Sequence, residues 1–241
     1  MVREFAVVQT VTTNDTAATN DAAILLADVV VALGGFPALA GVNLTVQRGE
    51  LVALRGANGT GKSTLLRLCA GLVALSRGSA QVMNVDLASN RAAVRPYVGL
   101  LGHRNGLYAD LTARENVQLT AQLIGAAGED VDDALVRLKI DARVAATRTR
   151  SLSAGQRRRT ALASLVVRRA RVWLLDEPHA GLDTAARKEL DQILCEATRA
   201  GATVIYTTHE VDRADGEVPR TVTLAGGVVA SDRAATRGAP R

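Results

Sequence analysis

Gly56-Ala57-Asn58-Gly59-Thr60-Gly61-Lys62-Ser63 follows the apolar run Leu51-Val52-Ala53-Leu54-Arg55 and leads into a leucine-rich stretch, Thr64-Leu65-Leu66-Arg67-Leu68. The eight residues satisfy G-x-x-x-x-G-K-[ST] at every position. A strand before and a helix after is the context in which that pattern has a physical meaning. The glycines let successive backbone N–H groups turn inward around an anion. The helix that follows adds the positive end of its dipole. Lys62 then reaches the outer phosphates of a bound polyphosphate, and the Ser63 hydroxyl becomes a candidate Mg²⁺ ligand. Gly56, Asn58, Gly59, Thr60, Gly61 and Thr64 complete the candidate nucleotide contacts.

A second signal stands downstream. Val172-Trp173-Leu174-Leu175 is an apolar strand that ends in Asp176-Glu177-Pro178. Carboxylates at the C-terminal end of a parallel strand face the crevice where such sheets bind ligands. Asp176 is therefore a candidate holder of Mg²⁺, and Glu177 a candidate general base or orienter of water. Alone, a strand ending in Asp-Glu-Pro is a common turn; beside a complete phosphate loop it reads as catalytic. Thr203-Val204-Ile205-Tyr206-Thr207-Thr208-His209 is another buried strand closed by a histidine. It is expected to neighbour the acidic strand, which would bring His209 to the terminal phosphate or the attacking water.

Strand-like stretches run from Ile24, through a turn at Gly34 and Gly35, to Val46 and another turn at Gly49 and Glu50. Helices are expected over residues 62–70, 111–124, 131–140, 154–169 and 184–199, strands over 94–101, 172–175 and 203–207, and a hairpin at 221–230 around Gly226 and Gly227. Strands alternating with helices predict an α/β core with parallel strands. The expected organisation is a flexible tail over 1–20, a single domain over 21–230 with a helical insert at about 103–165, and a loose tail over 231–241.

The 241 residues are 48% hydrophobic and 22% charged, with a net charge of +5. That is long enough for a sizeable core, and no apolar run reaches the ~20 residues that cross a bilayer. No leader-like apolar segment precedes Asn14 and Asp15, so the chain is expected in the cytoplasm, reaching a membrane through a partner. Cys69 and Cys195 form no metal-ligand spacing and read as buried thiols. Basic charge without an aromatic stacking platform argues against nucleic acid as a partner.

Leu152-Ser153-Ala154-Gly155-Gln156 precedes the acidic strand. Taken by itself it is a helix start capped by Ser153. Together with the phosphate loop, Leu174-Leu175-Asp176-Glu177-Pro178 and Thr207-Thr208-His209-Glu210, in this order and spacing, it resembles the signature of the ABC ATPases over roughly residues 24–230. The resemblance implies an α/β P-loop NTPase core with an antiparallel β subdomain and a helical subdomain. It implies an ATPase using ATP and Mg²⁺, and a head-to-tail dimer with a second ATP-binding subunit, expected to be an identical chain. Ser153, Gly155 and Gln156 would then contact the ATP held by the partner, and Gly181-Leu182-Asp183 resembles the loop joining the two sites. An integral membrane transporter subunit is the implied partner, with residues 103–111 part of its docking groove and the chain peripheral on the inner face of the cell membrane.

The pattern departs from the family at two places. A glutamine is usual where this chain has His103, which puts the Mg²⁺ contact there on a histidine. An aromatic that stacks on adenine is usual where this chain has Leu33; Phe36 is the nearest aromatic and either substitutes for it or packs in the core, the second being favoured. A narrower resemblance, carried by residues 100–117, Leu152 to Arg159 and Val172 to Pro178, is to the ATP-binding subunits of haem export in cytochrome c maturation. Drug- or peptide-exporting relatives share these features. A soluble ABC ATPase acting on nucleic acid or ribosomes stands further off, because the chain carries neither a long coiled coil nor a second ATPase half.

Overall fold

In the computed structural model, which describes residues 21–102, 105–208 and 219–235, the turn at Gly34 and Gly35 folds back two long strands. These are β1 (Ala22–Leu33) and β2 (Phe36–Gln47), antiparallel, with Leu33 opposite Phe36. Both glycines have positive φ (58° and 85°), which a two-residue hairpin turn of this hand requires. β3 (Leu51–Arg55) leads to the phosphate loop and α1 (Lys62–Cys69). β4 (Arg77–Val82) and the short β5 (Val85–Asp86) extend the first sheet in the order β2-β1-β4-β5. The sequence reading did not anticipate these two, because Arg77-Gly78-Ser79-Ala80-Gln81 has little β-branched or aromatic character.

α2 (Leu87–Asn90) leads to β6 (Val98–Leu101), and the helical region comprises α3 (Ala113–Ile124), α4 (Gly128–Arg137), α5 (Ala142–Ala145) and α6 (Ala154–Val167). β7 (Val172–Leu175), α7 (Thr184–Arg199), β8 (Thr203–Thr207), β9 (Arg220–Ala225) and β10 (Val228–Arg233) follow. The second sheet has the order β10-β9-β3-β8-β7-β6. Its strands from β9 to β6 are parallel, and β10 closes one edge antiparallel to β9. This is the α/β architecture with an antiparallel sheet and a helical region that the motifs implied.

Side chains of the central sheet alternate between two cores, as the two-residue period of a strand dictates. Val52 and Leu54 join Leu65, Leu66 and Leu68 of α1 and the inner face of the first sheet. Ala53, Trp173, Leu175, Val204 and Tyr206 pack the opposite way, against α3, α4, α6 and α7.

Several boundaries differ from expectation. The strand expected over 94–101 begins only at Val98, since Pro96 has no N–H for a ladder and Arg91–Val94 close a 3₁₀ turn. The helix expected from residue 111 starts at Ala113, because Thr112 caps it: its hydroxyl accepts from the Glu115 N–H at 3.1 Å, and Glu115 accepts from the Thr112 N–H at 2.7 Å. The helix expected over 131–140 runs from Gly128 to Arg137 and ends before Lys139, whose φ is 54°. At the C-terminal end, the tail expected to be loose from Ser231 is strand as far as Arg233, and the Arg220 guanidinium grips Asp232 at 2.6 Å. That contact holds the Asp232 carboxyl below the usual range.

One buried side chain ties the helical region together. The Asn116 carboxamide accepts from the Tyr108 N–H at 2.7 Å and donates to the Thr112 carbonyl at 2.9 Å, the Tyr108 carbonyl at 3.1 Å and the Thr149 hydroxyl at 2.9 Å. Backbone bonds run alongside, from Thr149 N–H to Leu111 O at 2.9 Å, Arg150 N–H to Ala109 O at 3.0 Å and Ala113 N–H to Thr147 O at 3.0 Å. Residues 108–113 and 147–150 are thereby stitched side by side. Asn116→Leu should lower the unfolding free energy by about 2–4 kcal/mol, because buried partners lose their bonds together. Urea denaturation measures this; a change within about 0.5 kcal/mol, the range of ordinary surface substitutions, would show that the stitch holds without it.

Candidate functional site

Three parallel strands, β3, β8 and β7, end side by side, and the candidate residues stand at those ends. The loop after β3 is built from left-handed backbone: φ is 144° at Gly56, 80° at Gly59 and 99° at Gly61. A Cβ on Gly56 would lie 2.4 Å from the Leu224 carbonyl oxygen, and one on Gly61 would lie 2.4 Å from the Ala38 carbonyl oxygen. The loop is thus wedged between β9 on one side and β2 on the other. Gly61 also serves as N-cap of α1, and its carbonyl accepts from the Leu65 N–H at 2.8 Å. Lys62 is buried, and its ammonium donates to the carbonyls of Gly56 at 2.8 Å and Ala57 at 2.9 Å. An ammonium has three donors, so it spans the loop while facing the same concavity as the α1 N-terminus. Thr64 is buried, Ser63 is half-buried, and Asn58 is exposed on the rim.

β8 lies between the phosphate-loop strand and the acidic strand, and its last residue joins the two carboxylates. The Thr207 hydroxyl donates to Asp176 Oδ1 at 2.9 Å and accepts from the Glu177 N–H at 2.6 Å. The Asp176 N–H donates to the Leu101 carbonyl of β6 at 2.8 Å. Glu177 has φ 48°, a left-handed conformation uncommon for a residue with a side chain and concentrated at functional sites. Its carbonyl accepts from the Ala180 N–H at 3.1 Å and from Arg158 Nη2 at 3.4 Å.

The N-terminus of α6 is capped reciprocally. The Ser153 hydroxyl accepts from the Gln156 N–H at 3.2 Å, and Gln156 Oε1 accepts from the Ser153 N–H at 2.9 Å. Gln156 is therefore occupied with its own helix end. Ser153 and Gly155 line a cleft of about 440 Å³ together with Arg158, Leu182, Asp183 and Glu189, and none of residues 56–63 lines it. The structure thus gathers the phosphate loop, Asp176, Glu177 and Thr207 at one sheet edge, and Ser153, Gly155 and the Gly181–Asp183 turn in a different cleft.

His103 and His209 lie outside the described residues; β8, which leads to His209, does pair with β7. Phe36, expected in the core, is 78% exposed at the hairpin tip, and Leu33 opposite it is 43% exposed. The long strands β1 and β2 carry the glycine turn out to a tip that the described residues leave largely uncovered. Two residues were missed by reasoning from sequence: Thr207, which looked like one more β-branched strand residue, and Arg158, hidden in the run Arg157-Arg158-Arg159. Among the described residues no group of three or more His, Cys, Asp or Glu side chains could hold a metal.

A family model described as ABC transporter matches residues 39–180. The cytochrome c biogenesis ATP-binding export protein CcmA of Nitrosococcus oceani is 39% identical over 168 residues, covering 70% of this chain and 77% of that protein. ATP-binding cassette sub-family A member 7 of Mus musculus is 37% identical over 194 residues, covering 79% of this chain, but the chain spans only 9% of that protein's length. Among solved structures, a dimeric ATP-binding cassette in a post-hydrolysis state bound to ADP and Pi superposes with a TM-score of 0.76 at 26% identity, covering 88% of this chain and 98% of that one.

Gly61→Ala tests the cradle. The added carbon collides with backbone and demands a disfavoured φ, so affinity for a nucleoside triphosphate should fall at least about tenfold. Titration with a fluorescent nucleotide, with circular dichroism as the check on folding, reads this; unchanged affinity would dissociate the loop from phosphate binding.

Proposed function

The chain belongs to the ABC transporter family, and from that premise we propose that it is the ATP-binding and ATP-hydrolysing subunit of a transporter, working as a sandwich dimer on an integral membrane partner. The observation that carries the reading is the separation of the two halves of the site. The phosphate loop and carboxylates share one sheet edge, whereas Ser153 and Gly155 line another cleft. A second copy arranged head to tail would bring its α6 N-terminus to the triphosphate held by the first, adding a second anion-binding helix end to that of α1. The likeness to a dimeric cassette supports this.

In the proposed reaction the backbone N–H groups of 56–61 and the Lys62 ammonium bind the β- and γ-phosphates. Ser63 and Asp176 offer a hydroxyl and a carboxylate oxygen, donors suited to Mg²⁺, which when bound would offset phosphate charge. Glu177, set in place by Thr207, orients a water and accepts its proton as the water oxygen bonds to the γ-phosphorus. The bond to the bridging oxygen breaks, and ADP carries that oxygen away. His209, two residues beyond β8 in sequence, and His103 complete the proposed set.

The membrane partner is proposed to seat on the segment after β6, where Tyr108 is 62% exposed. No helix among the described residues is long and apolar enough to cross a membrane, so a place on the inner face of the membrane would be held through that partner. For the cargo we propose haem export in cytochrome c maturation. The resemblance of residues 100–117 supports it, and so does a relative named for cytochrome c biogenesis that the chain matches over most of both lengths.

Glu177→Gln should reduce ATP turnover at least about 100-fold with ATP binding retained, and ATP should shift the variant to twice its monomer mass in size-exclusion chromatography with light scattering. A monomer at saturating ATP would remove the sandwich. Deletion of the chain in its host should abolish covalent haem on c-type cytochromes, read by haem staining of gels. Normal cytochromes accompanied by drug hypersensitivity would instead assign the chain to drug export.

A further inference from the structure

Arg158 is 6% exposed, lies five residues into α6, and faces the acidic strand end. Burying a guanidinium is costly unless acceptors surround it. Arg158 has one: Nη2 donates to the Glu177 carbonyl at 3.4 Å, and Nη1 is buried without a hydrogen-bond partner. Burial pushes its pKa below the usual arginine range, with the Asp176 carboxylate acting in the opposite direction. Its neighbours differ. Arg157 donates to the Leu152 carbonyl, and Arg159 pairs with Glu189 of α7 at 3.0 Å, both more exposed. A methionine at 158 would fill the space without an unmet cation, so packing gives no reason for an arginine.

The placement does give one. Glu177 holds a left-handed φ, and its peptide is fixed on the N–H side by Thr207 and on the carbonyl side by Ala180 and Arg158. Arg158 is the member of that set carried by α6, whose capped N-terminus at Ser153 begins the same rigid 14-residue helix. The residue also lines the cleft that contains Ser153, Gly155 and Asp183. It therefore touches both halves of the machinery within one chain.

We propose that Arg158 is a positioning residue that holds the Glu177 peptide from α6, so that a phosphate bound by Ser153 and Gly155 on one side tunes the catalytic carboxylate on the other. The cross-site part rests on the sandwich reading above. A small shift of the α6 N-terminus on contact with the partner's ATP would move Arg158 with it. The long 3.4 Å contact and the unmet Nη1 leave room for that bond to tighten.

The full-length chain carrying Arg158→Met tests it through steady-state ATPase kinetics. The kcat should fall about 10- to 100-fold while KM for ATP stays within about twofold, because binding groups are untouched. Arg158→Lys, which keeps a cationic donor, should recover most of the loss. The double variant Glu177→Gln/Arg158→Met should still dimerise with ATP. Adding Ser153→Ala to Arg158→Met should cost less than the product of the two single losses, since both lie on one path. A wild-type kcat for Arg158→Met overturns the proposal, as does a parallel loss in kcat and KM with a lowered melting temperature that lysine does not rescue. Multiplicative losses in the Ser153 cycle overturn the cross-site part. If Glu177→Gln alone fails to dimerise, the sandwich falls and the cross-site part with it, while the kcat of Arg158→Met still decides whether Arg158 holds Glu177.

Discussion

A polyphosphate carries several negative charges within a few ångströms, and water solvates them well, so a protein can compete only with donors already aimed at the anion. In the proposed role residues 56–61 would supply such donors from the backbone itself, which requires left-handed turns and space empty of side-chain carbon. Both neighbours of the loop enforce this. The Leu224 carbonyl of β9 and the Ala38 carbonyl of β2 lie where a Cβ would have to go at Gly56 and Gly61. The loop is therefore held by two different sheets, and the antiparallel sheet earns its place beside the parallel one as a wall of the cradle. The bond from the Ala40 N–H to the Gly227 carbonyl at 2.8 Å fastens the two sheets together at that point.

The sheet order places β8 between the loop strand and the acidic strand. That order separates the loop over residues 56–61 from Asp176 and Glu177 by the width of a strand. It also gives Thr207 its role. A single hydroxyl is donor to one carboxylate and acceptor from the next residue's N–H, so the two acids are oriented relative to each other by one atom. Valine has the same shape and β propensity and would supply neither bond.

Much of this was legible in the sequence because it is local. The phosphate loop, the apolar strand 172–175, the helix over 184–199 and the strand 203–207 follow from residue type and period within short windows, and their boundaries coincide with the structure. What escaped was set by distant packing. β4 pairs with β1 although β2, β3 and α1 intervene in the chain and its own residues have weak strand preference. Phe36 is aromatic and reads as core, yet it sits at a hairpin tip that the described residues leave largely uncovered. Arg158 is one of three consecutive arginines, and only the fold turns it inward. Thr207 is indistinguishable from any other β-branched strand residue until β7 is seen beside it.

The stitch centred on Asn116 has a mechanical meaning. Hydrogen bonds that share one buried side chain are made and broken together, which makes a strip closed by several of them resist local opening. Residues 108–113 and 147–150 form such a strip, and its far end runs straight into the residue that begins α6. Tyr108 and the turn that leads to Ser153 are therefore tied to one another by hydrogen bonds through Asn116 and the adjoining backbone. In that strip the chain has a brace between the segment after β6 and the start of α6.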